Sequence, residues 1–165
     1  AEQMIQTLST FYRRSLAEDP TGDVVLDQEI ALQRLYLEIE AVRFPERLRT
    51  RFDIPAALAE ARMPGMILQP LIENAVKYAV SATTLPVTLT IAAREEQGRL
   101  VIEVADDGPA AKQGQDGSGS GLGIGLANVR DRLAARYGEA AQFVSGPADG
   151  GGWRSRISLP LERHD

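Results

Sequence analysis

The sequence of 165 residues contains no cysteine and only one histidine, His164, next to its last residue. Without cysteine the chain forms no disulfide, no thiolate nucleophile and no zinc–thiolate site. A single histidine in the closing "PLERHD" is more typical of a solvated tail than of a catalytic base, and no Ser-His-Asp arrangement can be built around it. Several common kinds of active site are therefore excluded.

Long apolar runs are also missing. No run approaches the ~18 residues that a membrane-spanning helix needs, and the N-terminus lacks the apolar core of a signal peptide. Because the chain starts at Ala1 in mid-pattern, we interpret it as a fragment. We expect a cytoplasmic domain, and any membrane anchor of the full-length protein would lie upstream.

A basic balance is absent as well, since the formal net charge is -5. An acidic chain gives no electrostatic reason to expect binding to nucleic acid. Hydrophobic residues make up 44% of the sequence and charged residues 25%, which is typical of a globular domain.

Hydrophobic periodicity divides the chain into helices and strands. The predicted helices are 2–17, about 27–44 with Asp27 as a possible N-cap, 64–80 opened by Pro64 with Pro70 inside it, and about 123–137. The predicted strands are 47–54, 86–94, 98–108 and a terminal hairpin of 141–146 and 152–160. Their irregular alternation and short hairpins favour an α+β two-layer sandwich over a doubly wound parallel fold.

Four glycines occupy every second position of "GSGLGIGLANVRDRL", at Gly119, Gly121, Gly123 and Gly125. Interior glycines destabilise a helix by roughly 1 kcal/mol each relative to alanine, so their presence needs a reason. A polar loop that enters a helix N-terminus is a possible phosphate site. No Walker lysine follows and no strand directly precedes, so a plain flexible linker before a helix stays an alternative.

A second candidate is "LIENAVKYA", residues 71–79. On a helix Asn74, Lys77 and Tyr78 share one face, because residues three and four apart are neighbours. An amide oxygen, an ammonium group and a phenol on one face suit a hydrated Mg²⁺ and a polyphosphate. The alternative is an ordinary amphipathic helix with a Glu73–Lys77 surface pair.

The third candidate is "EVADDGPA", residues 103–110, where an apolar strand ends in two carboxylates and a Gly-Pro turn. Asp106 or Asp107 could accept a hydrogen bond from an exocyclic amine, and Gly108 lets a flat ring approach the backbone. The alternative is a turn that Asp and Gly merely shape.

Taken in order, these three candidates resemble the N, G1 and G2 boxes of the Bergerat-type (GHKL) ATP-binding fold of histidine kinases, gyrase-type ATPases and related chaperones. The phrases "LQPLIENAVKYA", "GLGIGLANVRDRLAARYGE" and "YLEIEAVRFPERL" are similar to the LytS-like branch of sensor histidine kinases. The resemblance runs from about Leu8 to Pro160. It implies a mixed sheet of about five strands with about three helices on one face, plus N-terminal helices.

The resemblance also implies roles for single residues in holding Mg²⁺ and ATP. Asn74 would coordinate Mg²⁺ between the phosphates, and Lys77 and Tyr78 would contact phosphate or the ATP lid. Asp106 would accept the adenine amino group, with Gly108 giving the ring room.

The same comparison divides the glycines between two tasks. Gly119 and Gly121 would lie in the ATP lid, and Gly123 and Gly125 would line the phosphates at the helix start. Ala110 stands where the family usually has a second G1-box glycine.

Another departure concerns hydrolysis. Hydrolytic members of the wider superfamily place a water-activating Glu four residues before the Asn, where this chain has Pro70. This favours phosphoryl transfer to a protein over an ATPase or chaperone cycle, which stays an alternative together with a degenerate partner-binding module.

The phosphoacceptor histidine of the family, in a "PHFLFN"-like phrase, is absent. Residues 1–18 would be the C-terminal remnant of the upstream dimerisation and phosphoacceptor helix, and 19–165 the catalytic ATP-binding domain. The resemblance thus implies a histidine kinase domain that donates the γ-phosphoryl group to an upstream histidine and then to a response regulator, within a homodimeric full-length protein. The chain alone would not phosphorylate itself.

Overall fold

The computed structural model describes residues 22–109 and 120–163, and side chains within 120–124 are not described. Its α-helices are α1 (Leu26–Arg43), α2 (Gln69–Ala75) and α3 (Ser120–Tyr137), and α2 continues as a π-helical turn over Val76–Val80. The strands are β1 (Asp23–Val25), β2 (Leu48–Asp53), β3 (Arg62–Pro64), β4 (Val87–Glu96), β5 (Arg99–Asp106), β6 (Gln142–Pro147) and β7 (Trp153–Pro160). The predicted helix 2–17, Gly119 and His164 lie outside the described residues.

Five strands form one mixed sheet in the order β2-β4-β5-β7-β6. β2 runs parallel to β4, and the other neighbours are antiparallel. Alternate residues of β4, from Val87 to Ala93, are buried in a core shared with all three helices. The predicted α+β two-layer sandwich, with its five-stranded sheet and three helices, is confirmed.

A second, two-stranded sheet pairs β1 with β3 and corrects the predicted start of the third helix. Pro64 ends β3 rather than opening a helix, and α2 begins at Gln69. Pro70 therefore lies in the first turn of α2 and not in its interior. Proline is well suited to that position, because the first helical N–H groups have no partner within the helix.

Two further boundaries differ from the sequence predictions. The N-cap of α1 is Val25 rather than Asp27, and the Val25 N–H donates to Gln28 Oε1 at 3.2 Å. α3 begins at Ser120 rather than near Gly123, so its glycines lie inside the first two turns. Within the described ranges, no helix is long and apolar enough to cross a membrane.

Candidate functional site

The first part of the site is the outward side of α2 and its π-helical turn. Leu71, Ile72 and the apolar residues from Ala75 to Val80 face the core. Asn74 and Tyr78 are half-buried and Lys77 is exposed, so the structure brings these three predicted residues to the side away from the core. π-Helical turns are rare and occur frequently at functional sites.

Asn74 carries a polar atom that the fold does not satisfy. Its Nδ2 is buried and has no hydrogen-bond partner among the described residues. Leaving a buried amide group unpaired is unfavourable by about 1–3 kcal/mol, so such a group needs an explanation. A rotation of the amide by 180° presents its oxygen in place of the nitrogen, and an amide oxygen is a ligand that Mg²⁺ accepts.

Lys77 is available to a ligand. Its ammonium nitrogen lies 5.0 Å from the ring centroid of Tyr78. The Glu73–Lys77 surface pair, which was the alternative explanation of this face, is not among the ion pairs of the described residues, and Glu73 instead accepts a hydrogen bond from Gln69 Nε2 at 3.0 Å. Among the described residues no ion pair engages Lys77.

The second part of the site is the end of β5. Asp106 is the last residue of that strand, is 6% exposed and lies on the core-facing side of the sheet between Leu89 and Trp153. Its Oδ1 accepts the Gly108 N–H at 3.0 Å. The neighbouring Asp107 is exposed and accepts the Thr88 N–H at 2.7 Å, so Asp107 shapes the turn while Asp106 faces inward.

Gly108 joins the two parts. A Cβ at this position would lie 2.8 Å from the Cβ of Ala79, closer than real Cβ atoms come, and 3.3 Å from its Cα. The turn after β5 therefore rests directly on the π-helical turn that carries Lys77 and Tyr78. The close approach that Gly108 permits in the structure is to Ala79, and its room for a ring stays a prediction.

Gly152 holds the same strand end from the other side. It has a φ of +86°, and a Cβ there would lie 1.9 Å from the carbonyl oxygen of Asp106. Trp153 follows it, pairs with Asp106 in the sheet and donates its indole N–H to Ser145 Oγ at 2.9 Å. Trp153 is thus a packed end-strand residue, as predicted, and its place beside Asp106 was not foreseen.

The third part is the beginning of α3. Gly121, Gly123 and Gly125 all lie in this helix, whereas the sequence placed Gly121 in a loop. A Cβ on Gly125 would be in ordinary contact, 3.8 Å, with the Cβ of Pro70, so α3 passes close to the start of α2. The roles of these glycines toward phosphate remain predictions, and Gly119 lies outside the described residues.

The fold agrees with the comparisons to known proteins. Residues 60–163 match the family described as histidine kinase-, DNA gyrase B-, and HSP90-like ATPase, and the chain belongs to that family. Residues 1–48 match a histidine kinase family model. Membership of an ATPase family implies that the domain binds ATP.

The most similar relatives include sensor kinases, among them LytS proteins, as the sequence phrases indicated. The chain is 35% identical over 138 residues to the sensor histidine kinase BtsS of Escherichia coli K12, covering 84% of the chain and 24% of BtsS. It is 32% identical over 151 residues to the sensor protein LytS of Staphylococcus saprophyticus, covering 87% of the chain and 26% of that LytS protein. The chain thus spans about a quarter of the length of these relatives.

Solved structures show the same fold. The catalytic domain of the histidine kinase ThkA, in a nucleotide-free form, superposes with a TM-score of 0.61 at 14% identity. The match covers 84% of this chain and 93% of that domain.

Proposed function

We propose that this chain contains the catalytic domain of a two-component sensor histidine kinase, which holds Mg²⁺-ATP and donates its γ-phosphoryl group to a histidine upstream. The buried amide nitrogen of Asn74, which has no partner within the described part of the chain, carries this assignment together with the contact between its helix and the Asp106 turn. Family membership supports ATP as the nucleotide.

Asp106 supplies the contact to the base. A carboxylate has about four lone-pair positions, so a hydrogen bond from the Gly108 N–H to Oδ1 is compatible with a further one from the adenine amino group. Because Asp106 is almost fully buried, a hydrogen bond formed there is little weakened by competition from water. A guanine in the same place would present an oxygen acceptor to a carboxylate, which disfavours it.

The phosphates would lie toward Asn74, Lys77, Tyr78 and the start of α3. When bound, Mg²⁺ neutralises phosphate charge, and the donor types fit it, since this ion takes few protein oxygen ligands and keeps waters and phosphate oxygens. Asn74 supplies the amide oxygen, and the Lys77 ammonium group is free to balance the remaining negative charge. Gly123 and Gly125 would line the phosphates near the start of α3, and Gly121 would belong to the ATP lid.

Position 70 separates transfer from hydrolysis. Pro70 has no side-chain base that could activate water, so the site would hold ATP without promoting its hydrolysis. Phosphoryl transfer depends mostly on positioning and charge neutralisation, and those are what the residues here supply. The acceptor histidine, the response regulator and a homodimeric arrangement belong to the longer protein, with 1–18 as part of its dimerisation and phosphoacceptor helix and 19–165 as the catalytic domain.

A thermal-shift comparison tests the adenine contact. AMP-PNP, a non-hydrolysable ATP analogue, with Mg²⁺ should raise the Tm of the 165-residue chain, because a ligand that binds only the folded state stabilises it. Asp106→Asn should abolish the rise, since an amide cannot accept at both positions, and the matched variant Asp107→Asn should keep it. An unchanged rise with Asp106→Asn, or no rise in the unaltered chain at millimolar nucleotide, would refute the proposal.

Turnover of free ATP separates the kinase domain from a hydrolytic relative. We expect the chain with Mg²⁺-ATP to release phosphate no faster than buffer alone. Steady release that is lost in Asn74→Ala would indicate an ATPase cycle instead. A thermal shift without turnover is the pattern that a transfer domain separated from its acceptor should give.

A further inference from the structure

Glu29 is a buried carboxylate outside the residues described so far. Glu29 of α1 is fully buried, with 0% of its surface exposed. Its Oε1 accepts the Met66 N–H at 2.9 Å and its Oε2 accepts the Leu68 N–H at 3.0 Å. Met66 and Leu68 belong to residues 65–68, hereafter the pre-α2 turn, which connects β3 to α2. Glu29 thus fixes the backbone from which α2 begins.

The pre-α2 turn is strained. Met66 has a φ of 63°, and only two other non-glycine residues in the described ranges have a positive φ. This conformation is unfavourable for a residue with a side chain and persists where the surroundings impose it. The carboxylate of Glu29 accepts a hydrogen bond from the N–H of Met66 itself and so stabilises this conformation.

α3 holds the same turn from the other side. Arg132 Nη2 donates to the carbonyl oxygen of Gly65 at 2.7 Å. Gly125, two turns earlier on α3, faces Pro70 in the first turn of α2. The pre-α2 turn is therefore held between α1 and α3, and both contacts lie at the start of the helix that carries Asn74.

A second contact continues this line along α1. Gln33, one helical turn after Glu29, donates from Nε2 to Oε1 of Gln69 at 2.9 Å. Gln69 is the first residue of α2. Two successive turns of α1 thus grip the residues immediately before and at the start of α2, whereas the far end of that helix meets the Asp106 turn.

The charge state of Glu29 is sensitive to its surroundings. Burial raises the pKa of its carboxyl to about 7, against the opposing effects of the backbone N–H groups and of the positive charge of Arg132. A protonated carboxyl has one oxygen that carries a hydrogen, so it holds two N–H donors less well. The grip is therefore complete above neutral pH.

We propose that Glu29 is a positioning residue for the nucleotide site, holding the pre-α2 turn together with Arg132 so that α2 presents Asn74 correctly. This rests on the function proposed above. α1 lies within the segment that matches the histidine kinase family model, so the same grip links that segment to the ATP-binding helix. A shift of α1 would be transmitted to the start of α2 through Glu29 and Gln33.

The test is the affinity of the 165-residue chain for AMP-PNP with Mg²⁺, measured by calorimetry at pH 8, together with the Tm of each variant. Glu29→Gln keeps the shape but turns an N–H donor toward a backbone N–H, and it should weaken binding at least fivefold. Arg132→Gln, at an exposed position, should weaken it about threefold.

Each variant has a matched control. Asp23→Asn alters another buried carboxylate, which pairs with Arg136 at 2.9 Å near the end of α3. Arg130→Gln alters another exposed arginine of α3, which donates to the carbonyl of Phe143 at 3.3 Å. Both controls should bind within twofold of the unaltered chain, even where Asp23→Asn lowers the Tm.

The outcomes are distinct. Normal affinity in Arg132→Gln and in a folded Glu29→Gln, or equal losses in variants and controls, would overturn the positioning role. Should Glu29→Gln fail to fold, Arg132→Gln and Arg130→Gln decide the question alone. Absence of binding in the unaltered chain would instead refute the proposed function.

Discussion

At the scale of single residues, two buried polar side chains differ in whether their hydrogen-bonding groups are satisfied. Glu29 is fully buried and its carboxylate accepts two backbone N–H groups, whereas Asn74 buries an amide nitrogen that has no partner in the described ranges. The Glu29 carboxylate satisfies two backbone N–H groups, although its own burial is unfavourable. The Asn74 amide nitrogen is left unsatisfied by the fold, which has a reason if this side chain contacts a bound ligand.

Glu29 gives a pH dependence whose sign follows from its raised pKa. Between pH 4.5 and about 7 the folded chain binds this proton and the unfolded chain has released it. The free energy of unfolding must therefore fall as the pH rises through this window, by about 3 kcal/mol more in the unaltered chain than in Glu29→Gln. Urea denaturation at steps of half a pH unit measures this difference. Parallel plots of unfolding free energy against pH for the two chains would contradict the prediction.

Asn74 was identified from its motif, but Glu29 was not identified from the sequence. A glutamate in an amphipathic helix is ordinarily assigned to the solvent side. The available signal was its position, three residues after Leu26 and next to Ile30, inside the apolar stripe of α1. Its partners lie 37 and 39 residues away, and no local pattern reveals such contacts.

At the scale of elements, the five strands of the main sheet were predicted well, whereas β1 and β3 were not predicted and the helix starts were less accurate. Alternating apolar residues such as Leu89 and Ile91 have the period of a half-buried strand, and this signal is local. The start of α2 was ambiguous, because Pro64 and Pro70 both suit a first helical turn. Pairing of β3 with β1 and the grip of Glu29 decide it, and both are tertiary contacts.

Substitutions at two glycines can distinguish the effect of backbone strain from the effect of a steric clash. Gly98 and Gly152 have similar positive φ angles of +75° and +86°, but a Cβ at Gly98 meets nothing within 4 Å. Gly98→Ala should lower the free energy of unfolding by about 1 kcal/mol, the strain alone. Gly152→Ala should lower it by about 2 kcal/mol more, because its Cβ would enter the carbonyl oxygen of Asp106. If urea denaturation gave equal losses of unfolding free energy for the two variants, the backbone at the end of β5 would have to shift at no cost to accommodate the Cβ.

At the scale of the whole molecule, the candidate site is divided between the two layers of the sandwich. Asn74 belongs to the helical layer and Asp106 to the sheet, and the contact of Gly108 with Ala79 joins them. The order of motifs along the chain was enough to predict the fold and the family. It could not predict that contact, since residues 79 and 108 are brought together only by the folded arrangement of α2 and β5.

The central claim is that the unpartnered amide of Asn74 is kept for Mg²⁺-ATP, and calorimetric titration of the chain and of Asn74→Ala with AMP-PNP and Mg²⁺ tests it most directly. We expect saturable binding to the unaltered chain and at least tenfold weaker binding to Asn74→Ala. The variant should not be less stable, because it loses a buried group whose unsatisfied state is unfavourable by about 1–3 kcal/mol. Equal affinity of the two chains, or no binding to either, would contradict the account.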